Sequence, residues 1–283
     1  MTPYGELLET AVAAAHAGGE VLTRWFRSGQ LEVGIKGEND FVTRADRESE
    51  VVVASLIRSR HPDHHLLGEE GGAHAGGQGD VQWILDPLDG TTNFLQGLPI
   101  FSVSIGCREG RDLVAAAVFE PLTGDLFTAT RGGGAHWNGR AMRASARQGL
   151  RGAFLATGYP FRAKAALDTY LAVFREVFNE ARAVRRCGSA ALDLAYTAAG
   201  VYDGFFEFRL SPWDIAAGAL LIQEAGGQLS DLDGGDRYLE HGNLLAGGPG
   251  VLPGLRAAVR RHADESRLDA LVPVDVAALG LLW

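Results

Sequence analysis

Residues 4–27 place Leu8, Val12, Ala15, Gly19, Leu22 and Phe26 at spacings of four and three. That is one face of a 3.6-residue period and predicts a helix. Residues 30–42 lose the period and gain glycine and charge, which predicts a flexible loop or hairpin. Thr43-x-x-Asp46 is a capping-box pattern ahead of apolar Val52, Val53, Leu56 and Ile57, so a second helix starts at Thr43 and Pro62 ends it. Short apolar runs bounded by turn residues follow: Leu66–Leu67, Trp83–Leu85, Phe101–Cys107, Leu113–Phe119 and Leu126–Ala129. Pro121-Leu122-Thr123-Gly124 marks a tight turn between the last two, so the region reads as a meander of strands.

Beyond Asn138-Gly139 strand and helix alternate. Strands are expected at Phe154–Ala156, Val184–Arg185, Phe205–Phe208 and Leu244–Ala246. Helices are expected near 165–180, 190–199, 213–225 and 252–262. This pattern implies a layered α/β second half. The expected division is an N-terminal α+β domain, residues 1–145, and a C-terminal α/β domain, residues 146–283. No internal repeat is visible, and glycine-rich 71–79, 132–134 and 233–235 read as short loops.

A chain of 283 residues with 22% charged and 46% hydrophobic residues is an ordinary globular composition. Its 26 Lys and Arg against 35 Asp and Glu give a net charge of −9. That balance argues against a general nucleic-acid or anionic-membrane surface. It leaves room for an anionic substrate, because divalent cations invert the local field. Cys107 and Cys187 cannot build a disulfide framework, which predicts a reducing, cytoplasmic setting. The acidic N-terminus does not resemble a signal peptide, and no stretch of 18 apolar residues exists. The apolar tail Val274–Trp283 is expected to pack on the body or on a partner subunit.

Candidate chemistry concentrates in Trp83-Ile84-Leu85-Asp86-Pro87-Leu88-Asp89-Gly90-Thr91-Thr92-Asn93-Phe94. A buried strand runs into two aspartates three residues apart and then into a Gly-Thr-Thr turn. Asp-Pro and Asp-Gly alone are ordinary turn formers. In this run, Pro87 stiffens the turn so that both carboxylates can point into one space. Backbone N–H groups beyond Asp89 can hold an anion. Carboxylates beside anion donors make a cation-plus-phosphate site. Gly68-Glu69-Glu70-Gly71-Gly72 reads either as a solvated loop or as a further acid source. Asp214, in Trp213-Asp214-Ile215-Ala216-Ala217-Gly218, either favours the positive end of a helix dipole or joins a site at a strand-to-helix junction.

These three motifs, closed by Glu224-Ala225-Gly226-Gly227, resemble the inositol monophosphatase family. Gly188-Ser189-Ala190-Ala191 and Glu207 fall in the expected order, and the resemblance covers roughly residues 5–265. It implies a layered αβαβα sandwich and a lithium-sensitive phosphomonoesterase with two or three magnesium ions per subunit, usually a homodimer. Glu69, Asp86, Asp89 and Asp214 would be the metal carboxylates, and the backbone carbonyl of Leu88 a further ligand. Glu69 and Thr91 would be catalytic. Asp46 would join Thr91 in orienting the attacking water, beside its reading as a helix cap. Asp89, Gly90, Thr91, Gly188, Ser189 and Ala190 would touch substrate, and Glu207 would accept from its hydroxyls. Oxygen-only ligands suit magnesium. The HAD hydrolase signature needs two aspartates separated by one residue, whereas Asp86 and Asp89 are separated by two. Direct attack by a cation-activated water therefore fits better than an aspartyl phosphate.

Lys36 reads either as a solvated charge or as a loop contribution to the site. His64, His65 and His74 read as surface residues, since neighbours on a strand point to opposite faces. Arg209, two residues after Glu207, would share its face if the strand continues, and would then meet a second anionic group at the pocket rim. Inositol 1-phosphate is the default substrate. Fructose 1,6-bisphosphate, histidinol phosphate, NADP and a nucleotide 3′-phosphate are handled by similar scaffolds, and a sugar-phosphate-binding regulatory relative is the non-catalytic alternative.

Overall fold

The computed structural model describes residues 3–29, 33–37, 40–74, 76–77, 79–161 and 163–281. In chain order the first half contains α1 (Gly5–Trp25), β1 (Val33–Gly37), β2 (Asp40–Thr43), α2 (Arg44–Arg60), β3 (His65–Gly68), β4 (Gly72–His74), β5 (Val81–Asp89), α3 (Thr91–Leu95), β6 (Ser102–Glu109), β7 (Asp112–Glu120), β8 (Asp125–Thr130), β9 (Gly134–Trp137) and β10 (Arg140–Ala141). The second half contains β11 (Phe154–Thr157), α4 (Leu167–Glu180), β12 (Ala183–Arg185), α5 (Ala190–Ala198), β13 (Gly204–Glu207), α6 (Pro212–Glu224), β14 (Gln228–Ser230), α7 (Tyr238–His241), β15 (Leu244–Gly247), α8 (Leu252–Arg260) and α9 (Glu265–Leu271).

Among the described residues β3–β10 form a sheet in the order β10-β9-β8-β7-β6-β5-β3-β4, antiparallel except where β3 runs parallel to β5. The second sheet runs β12-β11-β13-β15-β14. The expected hairpin in 30–42 is present as β1 paired antiparallel with β2; residues 30–32, 38 and 39 lie outside the described residues.

Alternation along the strands sets the layers. On β7, Ala115, Ala117 and Phe119 join α1 residues Ala11, Ala14, Ala15 and Leu22, together with Val53 and Ile57 of α2. Ala116 and Val118 face the other way, onto Ile215, Ala219 and Leu220 of α6 and onto α5. On β13, Phe205 packs on that same middle layer, while Phe206 packs with Tyr170 and Val173 of α4 and Leu255 and Val259 of α8. The result is helix pair, sheet, helix pair, sheet, helix pair: the expected αβαβα sandwich. Helix α6 lies between two sheets, so every residue from Asp214 to Ile222 is buried, and it is apolar nearly all round. Each fully buried Leu or Ile here contributes about 1.5–3 kcal/mol.

The tail packs on the body: Leu281 is buried in the middle layer and Gln82 Nε2 donates to Gly280 O at 2.7 Å. No helix among the described residues is long and apolar enough to cross a membrane.

Candidate active site

The two aspartates of the central motif sit on β5, and a backbone irregularity makes them share a face. Asp86 pairs with Ser104 and Asp89 with Ser102, so three steps on β5 oppose two on β6. Residues three apart on a regular strand face opposite ways, and one extra residue in a bulge restores the same side. Asp86 Oδ1 accepts from Leu88 N at 2.9 Å, and Pro87 O is held by Ser49 Oγ of α2 at 2.9 Å. Asp214 arrives from the other half. It closes a capping box at the start of α6, accepting from Ser211 N at 2.7 Å. One carboxylate oxygen each from Asp86, Asp89 and Asp214 lie within 4.8 Å of one another.

A cleft opens over this cluster. Its lining includes Glu69, Leu88, Gly90, Thr91, Gly188, Ser189, Ala190 and Glu207, so the structure brings together nearly every residue the sequence singled out. Glu69 stands in the turn between β3 and β4. That turn is anchored by Glu50 of α2, whose Oε2 accepts from Glu70 N at 2.9 Å. Gly90 has φ +97° and a Cβ there would stand 2.9 Å from Ile100 O, so the sharp exit from β5 requires glycine.

Thr91 Oγ1 donates between Asp46 Oδ1 at 3.2 Å and Leu88 O at 3.1 Å. Asp46 is fully buried, accepts from Thr43 N at 2.9 Å and from Thr43 Oγ1, and completes the expected capping box of α2. It is therefore cap and Thr91 partner at once. Ser189 and Ala190 reach the cleft, but their donors turn to Asp89: Ser189 Oγ, Ala190 N and Ala191 N (2.8 Å) all donate to its carboxylate.

Burial dominates the electrostatics. It pushes Asp46 and Asp89 each up to about 6. Asp86 is held well above the usual carboxylate range by burial and then by Glu69, Asp89 and Asp214. Glu207 is likewise raised by burial and then by Asp214 and Asp193, with the Arg186 guanidinium opposing. Crowded buried carboxylates with no cation among them are costly when ionised. The donor set is all oxygen, which fits magnesium rather than zinc or a soft metal.

Arg209 corrects the sequence reading. Strand β13 ends at Glu207, and Arg209 takes a left-handed backbone, φ +63°, which breaks the alternation assumed for it. Its guanidinium points away from the cleft, donating to Asp269 Oδ1 at 2.9 Å and to His241 O at 3.2 Å. His64 and His65 are half-buried rather than on the surface: Trp83 Nε1 donates to His64 Nδ1 at 3.0 Å and Gly76 N to His65 Nδ1 at 3.1 Å. His74 is exposed as expected. Lys36 lies on β1, and its side chain lies outside the described residues.

The sequence reading missed Asp193, Arg186, Thr157 and Gly158, which also line the cleft. Asp193 is 2% exposed, and its Oδ1 has no hydrogen-bond partner among the described residues. One helical turn separates it from Ser189, a spacing that marks the same face of α5. A Cβ on Gly158 would stand 1.8 Å from Glu207 Oε1, so only glycine leaves Glu207 its place.

Residues 4–265 match the inositol monophosphatase family. The Nus factor SuhB of Salmonella typhimurium is 49% identical over 262 residues, which span 92% of this chain and 98% of that protein. An inositol-1-monophosphatase of Rhizobium meliloti is 44% identical over 256 residues, covering 90% and 96%. The solved structure of an inositol monophosphatase from Anabaena superposes with a TM-score of 0.83 at 33% identity, covering 94% of this chain and all of that one. A shared fold, a near-full-length match and an all-oxygen acid cluster at the junction of the two sheets together place this chain in the inositol monophosphatase family.

Proposed function

We propose that the chain hydrolyses a small phosphate monoester with magnesium, and that inositol 1-phosphate is the substrate. The observation that carries this reading is the convergence of Asp86, Asp89 and Asp214 within 4.8 Å, from both halves of the chain. Those three carboxylates, Glu69 and the Leu88 carbonyl would hold the magnesium. Bound there, the cation neutralises the phosphate and favours the deprotonated form of a water.

The chain's own groups do the positioning. Thr91 Oγ1, fixed between Asp46 and Leu88 O, would accept an O–H from the attacking water, taking its proton as Thr91 passes its own to Asp46. The first turn of α3 presents Gly90 and Thr91 to phosphate oxygens. Glu207 and Asp193 stand on the far wall as acceptors for substrate hydroxyls. Ser189 and Ala190 act one step back, by fixing Asp89.

Phosphate release from a panel of esters tests the reading. Chelation is expected to remove turnover on every ester, and added magnesium to restore it, with inositol 1-phosphate the best substrate. Full activity in excess chelator would sink the metal role. A leading rate on fructose 1,6-bisphosphate, histidinol phosphate or a nucleotide would move the substrate assignment. The name of the Salmonella relative, Nus factor, supports a second, non-catalytic reading, and no release from any ester would select it.

We also infer a homodimer. Leu167, Leu171 and Phe178 recur on one side of α4 and are each at least 44% exposed, an apolar stripe that a second copy would cover. Sedimentation should report twice the 30.1 kDa chain mass; a monomer at micromolar concentration would remove this inference.

A further inference from the structure

Outside the cleft, His241 at the end of α7 faces Glu265 and Asp269 on α9. His241 Nδ1 lies 3.6 Å from Glu265 Oε2 and 3.8 Å from Asp269 Oδ2. Both separations are too long for hydrogen bonds. His241 is 8% exposed, and its buried Nδ1 has no hydrogen-bond partner among the described residues. A buried ring nitrogen aimed between two carboxylate oxygens and bonded to neither is costly unless something sits between them.

The three atoms all lie within 4.8 Å of one another. Zinc bonds of about 2.0–2.2 Å to nitrogen and oxygen place neighbouring ligand atoms about 3–4 Å apart. Surrounding groups hold both carboxylates in place, as outer-shell partners do at metal sites. Arg209 engages Asp269 Oδ1 at 2.9 Å and leaves Oδ2 turned to the ring. Leu232 N and Asn243 Nδ2 fix the two oxygens of Glu265 at 2.9 and 2.6 Å. Arg209 takes its uncommon φ of +63° at this point, which is the strain expected where a local constellation is over-determined.

Charge agrees. Asp231 and Asp233 share the depression with Glu265 and Asp269, giving four carboxylates against the guanidinium of Arg209. Arg237 at the rim is paired with Glu240. The surplus of negative charge favours a cation. An imidazole nitrogen with two carboxylates selects zinc over magnesium.

We propose that His241, Glu265 and Asp269 bind one zinc ion that fastens α9 to α7, separate from the acid cleft. None of the three lines that cleft. The role is structural, so the occupant stabilises the fold without entering the reaction.

The test uses the full chain, stripped of metal and returned to saturating magnesium to fill the cleft. Zinc alone is then titrated by calorimetry, with metal content and thermal unfolding as parallel readouts. One zinc per chain is expected, with Tm raised by about 2–6 °C at a hundredfold excess over Kd. His241→Gln should lose that equivalent, with affinity falling at least ~100-fold, while magnesium-dependent activity persists. Asp269→Asn is the gentler variant, because Asp269 is partly exposed, and it should lose affinity in the same direction. Zinc binding that is absent in the parent, or equal in the parent and both variants, would overturn the proposal.

Discussion

Asp89→Asn lowers turnover at least ~100-fold, the size of loss seen when a preorganised charge facing the reacting group is removed. The substitution keeps shape and takes one charge from a cluster whose carboxylate oxygens lie within 4.8 Å of one another. Asp89 has a second job, because its two oxygens cap α5 through Ser189, Ala190 and Ala191. Asparagine keeps one oxygen for those donors and sets its NH2 against another, which costs about 1–3 kcal/mol.

The opposing effect comes from charge. Burial pushes Asp89 up to about 6, above its unfolded value. In the metal-free fold this group therefore adds stability below its unfolded pKa and loses it as the pH rises through about 6. At neutral pH the ionised carboxylate is a burden of similar size, about 1–3 kcal/mol, and asparagine removes it. The metal-free variant should therefore unfold near the parent at pH 7 and below it in Tm at pH 5. Phosphate release at saturating magnesium, with circular dichroism for Tm, measures both. A folded variant with a near-parental rate would refute the assignment of Asp89.

Much of this was legible in the sequence because the features are local. Thr43-x-x-Asp46 predicted the cap of α2, the 3.6-residue period placed α1, and short apolar runs bounded by turn residues placed β5–β8 within a few residues. The acids of the cleft were legible as motifs, since Asp86 and Asp89 sit beside Pro87 and Gly90 and Asp214 opens an apolar helix. What sets their geometry was not. Pro87 marks the irregularity between Asp86 and Asp89, but its size, three steps on β5 against two on β6, is a register property of the strand pair.

Arg209 went wrong for a related reason. Alternation carries a side chain across only while the strand lasts, and β13 stops at Glu207. The acids that matter through long-range contact were silent too. Glu50 and Asp193 sit within helical sequence, where a lone acid reads as solvated. Only the packing of α2 on the β3–β4 turn and of α5 on the cleft buries them.

Asp193→Ala lowers kcat/KM for inositol 1-phosphate about 10- to 150-fold, the equivalent of one buried charge-assisted hydrogen bond of about 1.5–3 kcal/mol. The carboxylate is 2% exposed and Oδ1 has no hydrogen-bond partner among the described residues, so a substrate hydroxyl is the group that would satisfy it. Burial and then Asp89 hold it well above the usual carboxylate range, with Arg186 opposing. A hydroxyl donor shared with Glu207 would favour the ionised form. The contrast is an ester with no hydroxyls, p-nitrophenyl phosphate. It cannot use the contact, so its kcat/KM should change less than ~3-fold in the same variant. Asp193→Asn keeps an acceptor oxygen and should fall between parent and alanine on inositol 1-phosphate alone. If both esters lose equally, Asp193 acts by holding α5 and Asp89 in place, and Glu207 is left as the acceptor on that wall of the cleft.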